Sequence, residues 1–257
     1  MQDAYEKFYK TNWEEVYGFW HKVITRGEHQ VKILIENLNS INKGKITILD
    51  LGCGSGDEIK EALSKAKNKE FVIIANDTSE EALEKYRKNI DVKETIQERL
   101  ENLPKKLSGK FDIILFSHCL YSVELKGLFK EYLKLLSDDG TILIFLDSKE
   151  SGIKLIQQKF WNEIHNKNFD ENTGEDVLKE LENENMKYEA IEFSNYMDFK
   201  KLENLRKDGI TSLLIPFALR TNEIKKECSE EIASYIEKLK NHGKLENKTF
   251  AIMIKSN

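Results

Sequence analysis

The sequence predicts an α/β fold built on a parallel sheet with helices on both faces. Three observations carry this. Short apolar runs at 46–51 (ITILDL), 71–75 (FVIIA), 111–116 (FDIILF) and 141–146 (TILIFL) read as buried strands of the parallel kind. Stretches with helical spacing separate them, and this alternation layers helices against a parallel sheet. A glycine cluster, Gly52, Gly54 and Gly56, stands between the first run and the helical pattern after it.

Taken in order, residues 1–40 predict two helices. Trp13, Val16, Tyr17, Trp20 and Ile24 make one apolar stripe, and Val31, Leu34, Ile35 and Leu38 make a second, with a break around Arg26-Gly27. The first strand follows at 46–51, then the glycine cluster and a helix through Ile59, Ala62 and Leu63. After the strand at 71–75, Ser79 is placed to cap a helix whose first turn carries Glu80 and Glu81, where carboxylates favour the positive helix end. A weaker strand is expected near 94–99, a fourth at 111–116, and a helix from about 124 to 136. Asp138-Asp139-Gly140 reads as a turn before the fifth strand at 141–146. Beyond 150 the rhythm loosens. Helices are expected at about 151–166 and 173–185, a strand near 188–193, a helical stretch from about 198 to 242, and a last strand at 249–254.

The bulk composition narrows the function. The chain has 257 residues, 40% of them hydrophobic, which suits one α/β domain with an elaboration, or at most two small domains. Its net charge of −5 argues against an enzyme held to nucleic acid by a basic face. Cys53, Cys119 and Cys228 show no CxxC pair and no zinc spacing. His21, His29, His165 and His242 show no ligand spacing with them, so no metal is expected. The start of the chain is charged and aromatic, unlike a signal-peptide core. The longest apolar stretch, around 213–219, is interrupted by Pro216 and falls far short of the roughly 18 residues of a spanning helix. A cytoplasmic protein with no membrane contact is expected, with a monomer favoured.

The segment Asp50-Leu51-Gly52-Cys53-Gly54-Ser55-Gly56 carries the strongest chemical signal. Glycines between a strand and a helix let the backbone turn tightly and approach a ligand closely, and the helix start offers free N–H groups. A dinucleotide loop spaces its glycines GxGxxG. Here the spacing is GxGxG, and Asp57 and Glu58 follow where a pyrophosphate would be repelled. The loop better suits a ligand with a zwitterionic amino-acid end. Asp77, at the end of the second strand, is placed to accept both hydroxyls of a ribose.

These residues resemble the class I S-adenosylmethionine-dependent methyltransferases. ILDLGCGSG looks like their first signature and Asn76-Asp77-Thr78-Ser79 like their second. The segment 111–117 resembles their fourth-strand motif, and SDDGTILIF their fifth-strand entry. The resemblance covers roughly residues 46–150. It implies a Rossmann-like, seven-stranded, mostly parallel sheet with helices on both faces and an antiparallel last strand. To this the chain adds an N-terminal helical cap and a helical insertion before the last strand. One domain is then expected over 1–257: the cap at 1–40, the cofactor-binding core at 46–150, a substrate-side elaboration at 151–243 and the last strand at 244–257. The implied cofactor is S-adenosyl-L-methionine, with S-adenosyl-L-homocysteine as product, bound by Asp50, Gly52, Cys53, Gly54, Gly56, Asp77, Thr78, Ser117 and His118. Many members hold the adenine amino group with an acid after the third strand. Arg99-Leu100 stands about there, with Glu98 and Glu101 nearby, so the adenine contact is left unassigned.

Outside the core the chain is similar to the histamine N-methyltransferase group, through Glu28-His29-Gln30, Leu120-Tyr121-Ser122-Val123 and the end of the chain at 245–254 (LENKTFAIMI). That resemblance implies substrate contacts from Glu28 and Asn247 and pocket walls from Phe19 and Tyr121. The chain departs from the group in having His118 where the group has an amide, and Ile153 and Ile156 about where it has tryptophans.

The residues themselves leave alternatives open. Glu28 is either a ligand for a cationic group or the acid of a Thr25-x-x-Glu28 capping box. Asn247 is either a ligand or a turn residue. His118 is either a hydrogen-bonding or proton-accepting group at the methyl-transfer face, hence a candidate catalytic residue, or a packed histidine. The expected activity is transfer of a methyl group, by in-line displacement, to a nitrogen of a small amine or imidazole-containing molecule. A protein or RNA methyltransferase and a non-catalytic cofactor-binding module are the alternatives.

Overall fold

A computed structural model of the chain describes residues 18–20, 22–67 and 69–256, without the side chains of 26 and 27. Trp13, Val16, Tyr17 and His21 lie outside the described residues. The strands are β1 (Lys45–Leu51), β2 (Glu70–Asp77), β3 (Glu94–Gln97), β4 (Phe111–Ser117), β5 (Leu136–Asp147), β6 (Glu189–Asp198) and β7 (Lys244–Lys255). They form a seven-stranded sheet in the order β3-β2-β1-β4-β5-β7-β6. The pairings from β3 through to β5 are all parallel. The chain reverses direction across the sheet after β3, which opens a crevice at the carboxyl ends of β1 and β4, where open α/β sheets bind their ligands.

The chain divides into two compact units. The first, which we call the sheet unit, comprises Gly27–Leu146, Asn172–Glu192 and Phe250–Asn257. Its helices are α1 (Arg26–Ser40), α2 (Asp57–Lys65), α3 (Glu80–Asn89), α4 (Leu128–Leu133) and α6 (Gly174–Asn183). The runs of Ile, Leu and Phe in β1 and β4 are buried nearly end to end, as expected of strands covered on both faces. Ser79 caps α3, its hydroxyl accepting from the Ala82 N–H at 3.3 Å. Thr173 and Asp176 close a reciprocal capping box at the start of α6. Asp138-Asp139-Gly140 is not a turn between elements but part of β5. Phe111 pairs with Leu136 and Ile113 with Thr141, so the extra residues bulge out of the ladder within one continuous strand. The helix expected from about 124 to 136 is confined to Leu128–Leu133.

The second, which we call the helical unit, comprises Met1–Arg26, Asp147–Glu171 and Phe193–Thr249. Its helices are α5 (Gly152–His165), α7 (Phe199–Leu205), α8 (Ile215–Leu219) and α9 (Lys226–Leu239). The stretch expected to be helical from about 198 to 242 is thus broken. A π-helical turn at Ile210–Leu214 leads into α8. Pro216, which has no N–H to donate, interrupts the regular ladder there. β7 spans Lys244–Lys255, within the last-strand segment expected at 244–257 and longer than its apolar run at 249–254. An aromatic cluster sits in the core of this unit. Trp20 and Phe217 stack with ring centroids 4.4 Å apart, and Phe19 stands edge-on to both. Ile153 and Ile156 belong to the same core. Among the described residues no helix is long and apolar enough to cross a membrane.

Candidate active site

The glycine loop leaves β1 and enters α2 through left-handed backbone at Gly52, Gly54 and Gly56, with φ of 57°, 54° and 75°. Two of these glycines are forced by what lies against them. A Cβ on Gly52 would stand 2.3 Å from the Cys119 Cβ, and one on Gly56 would stand 2.7 Å from the Tyr86 ring. Gly54 has nothing within 4 Å of the same position. Protein therefore packs against the loop at its two ends, while the middle presents bare backbone that a ligand can approach.

Asp77 ties this loop to the end of β2. Its Oδ2 accepts from the Gly54 N–H at 3.0 Å and its Oδ1 from the Ser79 N–H at 2.9 Å. Cys53 N donates to the Asn76 carbonyl at 2.9 Å. Burial raises the Asp77 carboxyl above its ordinary range, opposed by the backbone N–H groups of Ser79, Gly54 and Thr78. Asp50, at the end of β1, is buried and accepts from the Tyr86 hydroxyl at 2.8 Å. Burial pushes its carboxyl up to about 7, and the nearby Asp77 and Glu58 add to the rise while the Tyr86 hydrogen bond opposes it. Burial also pushes the Cys53 and Cys119 thiols up, so neither is a ready thiolate. Thr78 is exposed, and its carbonyl accepts from Gln97 Nε2 at 3.0 Å.

Asn76, quoted above only as part of the second signature, ties the end of β2 to the segment after β3. Its buried Nδ2 donates to the carbonyls of Ile96 and Glu98, at 2.9 and 2.8 Å, and so fixes the segment after β3. Glu98 turns outward to Lys106, which holds its carboxyl down at about 2.

A second polar cluster lies at the carboxyl end of β4. Gln30 is buried on α1, and its Nε2 is 2.7 Å from both Glu58 Oε2 and Ser117 Oγ. His118 Nε2 lies 3.3 Å from Gln30 Oε1, and His118 Nδ1 lies 2.9 Å from the Tyr121 hydroxyl. His118 itself sits in left-handed backbone, with φ of 53°. Asn172 secures the segment that follows. Its N–H donates to the Tyr121 carbonyl at 2.7 Å, and its side chain donates to the carbonyls of Leu120 and Val123.

Of the expected substrate residues, Glu28 and Tyr121 lie in the sheet unit, and Phe19 and Asn247 in the helical unit. Tyr121 joins His118. Glu28 does not: it is exposed in the first turn of α1, where its charge suits the positive helix end. The residue of the Glu28-His29-Gln30 segment that faces the site is Gln30. The helical signal for this was present, because Gln30, Leu34 and Leu38 recur every four residues and are all buried. Phe19 and Asn247 belong to the helical unit. Phe19 is buried in its aromatic cluster. Asn247 Oδ1 accepts from Ser151 Oγ at 3.0 Å and from the Ile153 N–H at 3.1 Å, which caps the start of α5.

A loop of bare glycine backbone opening a helix, closed by an acid at the end of the next strand, on this sheet order, defines the class I methyltransferase fold. A family model described as "Methyltransferase domain" matches residues 42–209, and the chain belongs to that family. No curated protein matches the chain in sequence. Solved structures similar to it include the YcgJ protein of Bacillus subtilis, 16% identical over 89% of this chain and 98% of that one, with a TM-score of 0.56. The MccD protein is 18% identical over 91% of this chain and 99% of its own, with a TM-score of 0.57. The plantazolicin methyltransferase BamL, solved with a triazolic desmethylPZN analog and S-adenosylhomocysteine, is 16% identical over 100% of this chain and 91% of its own, with a TM-score of 0.53. At these identities the likeness is one of fold.

Proposed function

We propose that the protein is an S-adenosylmethionine-dependent methyltransferase that methylates a nitrogen of a small amine or imidazole-containing molecule. The observation that carries the cofactor is the loop itself: bare backbone at Gly54, flanked by the Asp77 carboxylate. Asp50, Gly52, Cys53, Gly54, Gly56, Asp77, Thr78, Ser117 and His118 line its place in this reading. The zwitterionic end lies at the loop and the ribose lies at Asp77. When bound, the cofactor supplies an electrophilic sulfonium methyl.

The chain's own contribution is then orientation. Holding a nucleophile in line with that methyl and excluding water can supply several kcal/mol, up to roughly 7–11 in model systems. The polar cluster of Gln30, Glu58, Ser117, His118 and Tyr121 supports a nitrogen acceptor, since it places hydrogen-bonding groups at the end of β4. The resemblance to the histamine N-methyltransferase group supports the same acceptor class. The net charge of −5 and the triazolic compound held by a structural relative favour a small acceptor over a nucleic acid.

The test incubates the protein and S-adenosylmethionine with a panel of imidazole amines and other small biogenic amines, read by mass spectrometry. Asp77→Ala serves as the loop control, and calorimetry follows S-adenosylhomocysteine binding. The expected result is a one-methyl mass gain on one amine and loss of both binding and turnover in the variant. Intact cofactor binding with no gain on any amine overturns the acceptor class and leaves the fold assignment standing.

A further inference from the structure

Asp57 and Glu58 both lie in the first turn of α2, where a carboxylate favours the positive helix end. They turn in opposite directions. Asp57 is exposed and is answered locally, by Ser55 Oγ at 2.7 Å and Asn89 Nδ2 at 3.2 Å. Glu58 is half-buried and reaches across to α1 and β4. Its Oε2 accepts from Gln30 Nε2 at 2.7 Å and from Ser117 Oγ at 3.4 Å. The second hydrogen of the same amide goes to Ser117 Oγ, also at 2.7 Å. Both donors to the acid are neutral. Among the described residues no donor reaches Glu58 Oε1, and no Lys, Arg or His stands within ion-pair distance of it.

Gln30 shows that this placement is built. It is 2% exposed on the stripe it shares with Leu34 and Leu38. Burying an amide there costs stability unless its groups are bonded, and an apolar residue would fill the stripe without that cost. What the amide does is hold one oxygen of an acid, leaving the other open beside the glycine loop. Glu58 follows Gly56 by two residues, and Ser117 ends β4.

A zwitterionic amino-acid end needs two kinds of partner. Backbone N–H groups at the start of α2 suit its carboxylate. They offer nothing to its ammonium, which only donates. Asp77 is engaged through both oxygens, by the N–H groups of Gly54 and Ser79. Asp50 is turned to the Tyr86 hydroxyl, and burial pushes its carboxyl up to about 7, so it is only partly charged at neutral pH.

We infer that Glu58 is the ligand for the cofactor's ammonium group, through Oε1, and that Gln30 is the positioning residue that holds it there from α1. This rests on the cofactor reading of the preceding section and deepens it. It makes α1 part of cofactor recognition, although α1 precedes the loop by a whole strand.

The test is calorimetry of the whole protein with S-adenosylhomocysteine and with its deamino analogue, in which hydrogen replaces the ammonium group. The wild type is expected to bind S-adenosylhomocysteine about 10- to 100-fold more tightly than the analogue, the range of a hydrogen bond between charged groups. Glu58→Gln keeps an acceptor for Gln30 and removes the charge. It brings S-adenosylhomocysteine affinity down to near that of the analogue and leaves the analogue's own affinity unchanged, which also shows that the variant is folded. Gln30→Met lowers S-adenosylhomocysteine affinity by a smaller factor, again without touching the analogue, and adds nothing in the Glu58→Gln background. No gap between the ligands in the wild type, equal losses for both in Glu58→Gln, or a gap that survives in that variant each overturn the assignment. A gap that closes in Asp50→Asn instead overturns it in favour of Asp50. Gln30→Met indistinguishable from the wild type removes Gln30 from its role. Binding of neither ligand by the wild type overturns the cofactor reading itself, and the assignment falls with it.

Discussion

Tyr86 donates its phenolic hydrogen to Asp50 at 2.8 Å, and both side chains are buried against the glycine loop. The ring that Gly56 packs on is therefore the same one that satisfies the acid at the end of β1. One hydrogen bond to a neutral phenol does not offset the burial of a carboxylate whose neighbours, Asp77 and Glu58, are also acidic. The Asp50 carboxyl accordingly rises to about 7.

A pH dependence follows. The unfolded carboxyl titrates near 3.8 and the folded one near 7, so between these values the folded state binds the extra proton. Stability from this group is present at low pH and is lost as pH rises from about 4 to 7. Asp50→Asn removes the titration. Urea denaturation of the cofactor-free protein at pH 5 and pH 8 should show the wild type losing stability relative to the variant, on the order of a few kcal/mol. Parallel curves for the two proteins would show that Asp50 is ionised throughout.

The glycines of the loop predict opposite behaviour for neighbouring substitutions. Gly52→Ala must adopt a positive φ, costing about 1–2 kcal/mol, and must also place its methyl on Cys119. Gly54→Ala incurs the backbone cost alone, because nothing stands within 4 Å of the new carbon. Thermal unfolding should therefore fall further for Gly52→Ala than for Gly54→Ala. Calorimetry with S-adenosylhomocysteine should show Gly54→Ala losing affinity while still folded, since its methyl enters the bare side of the loop. Full affinity in that variant would place the ligand elsewhere.

How much of this was legible in the sequence depended on the range of the interaction. β1, the loop, and Asp77 at the end of β2 follow from local patterns, and each lies where expected. Gln30 was hidden because an amide on a buried stripe looks like a tolerated polar residue. Glu28, two residues away, carries the charge that draws attention, yet it lies on the exposed face with Lys32 and Glu36. Asp138-Asp139-Gly140 has turn composition, and only pairing with β4 reveals it as a bulge within β5. The stretch expected from 198 to 242 breaks at 206–208 and 220–225, on either side of Pro216, which itself lies inside a helical run.

Asn247 yields a stability prediction. Its Oδ1 accepts two hydrogen bonds at the start of α5, from Ser151 Oγ and the Ile153 N–H, and is fully enclosed. Asn247→Ala leaves both donors buried and unanswered, a loss of about 1–3 kcal/mol. Urea denaturation should register it, with the affinity for S-adenosylhomocysteine unchanged. A stable variant would show that the cap is dispensable.

Lys154 and Glu171 form a 2.7 Å ion pair in the helical unit, with side chains 1% and 0% exposed. Two charges withdrawn from water at this depth each need a counter-charge close by. Arg220 lies near enough, with its Nε 4.0 Å from Glu171 Oε1, to add to the field on the acid. Removing one member takes from the other its nearest counter-charge, which costs up to about 3–5 kcal/mol, whereas replacing both with apolar groups of similar volume is often close to neutral. Lys154→Met and Glu171→Leu should each therefore destabilise strongly. The double variant should recover much of either loss, an interaction of at least about 2 kcal/mol in a double-mutant cycle. The Phe169 ring beneath the Lys154 ammonium, 5.1 Å from its centroid, offers the methionine side chain an apolar surface in that variant. Strictly additive losses would mean that each charge is balanced by other partners and that the pair contributes no coupling of its own.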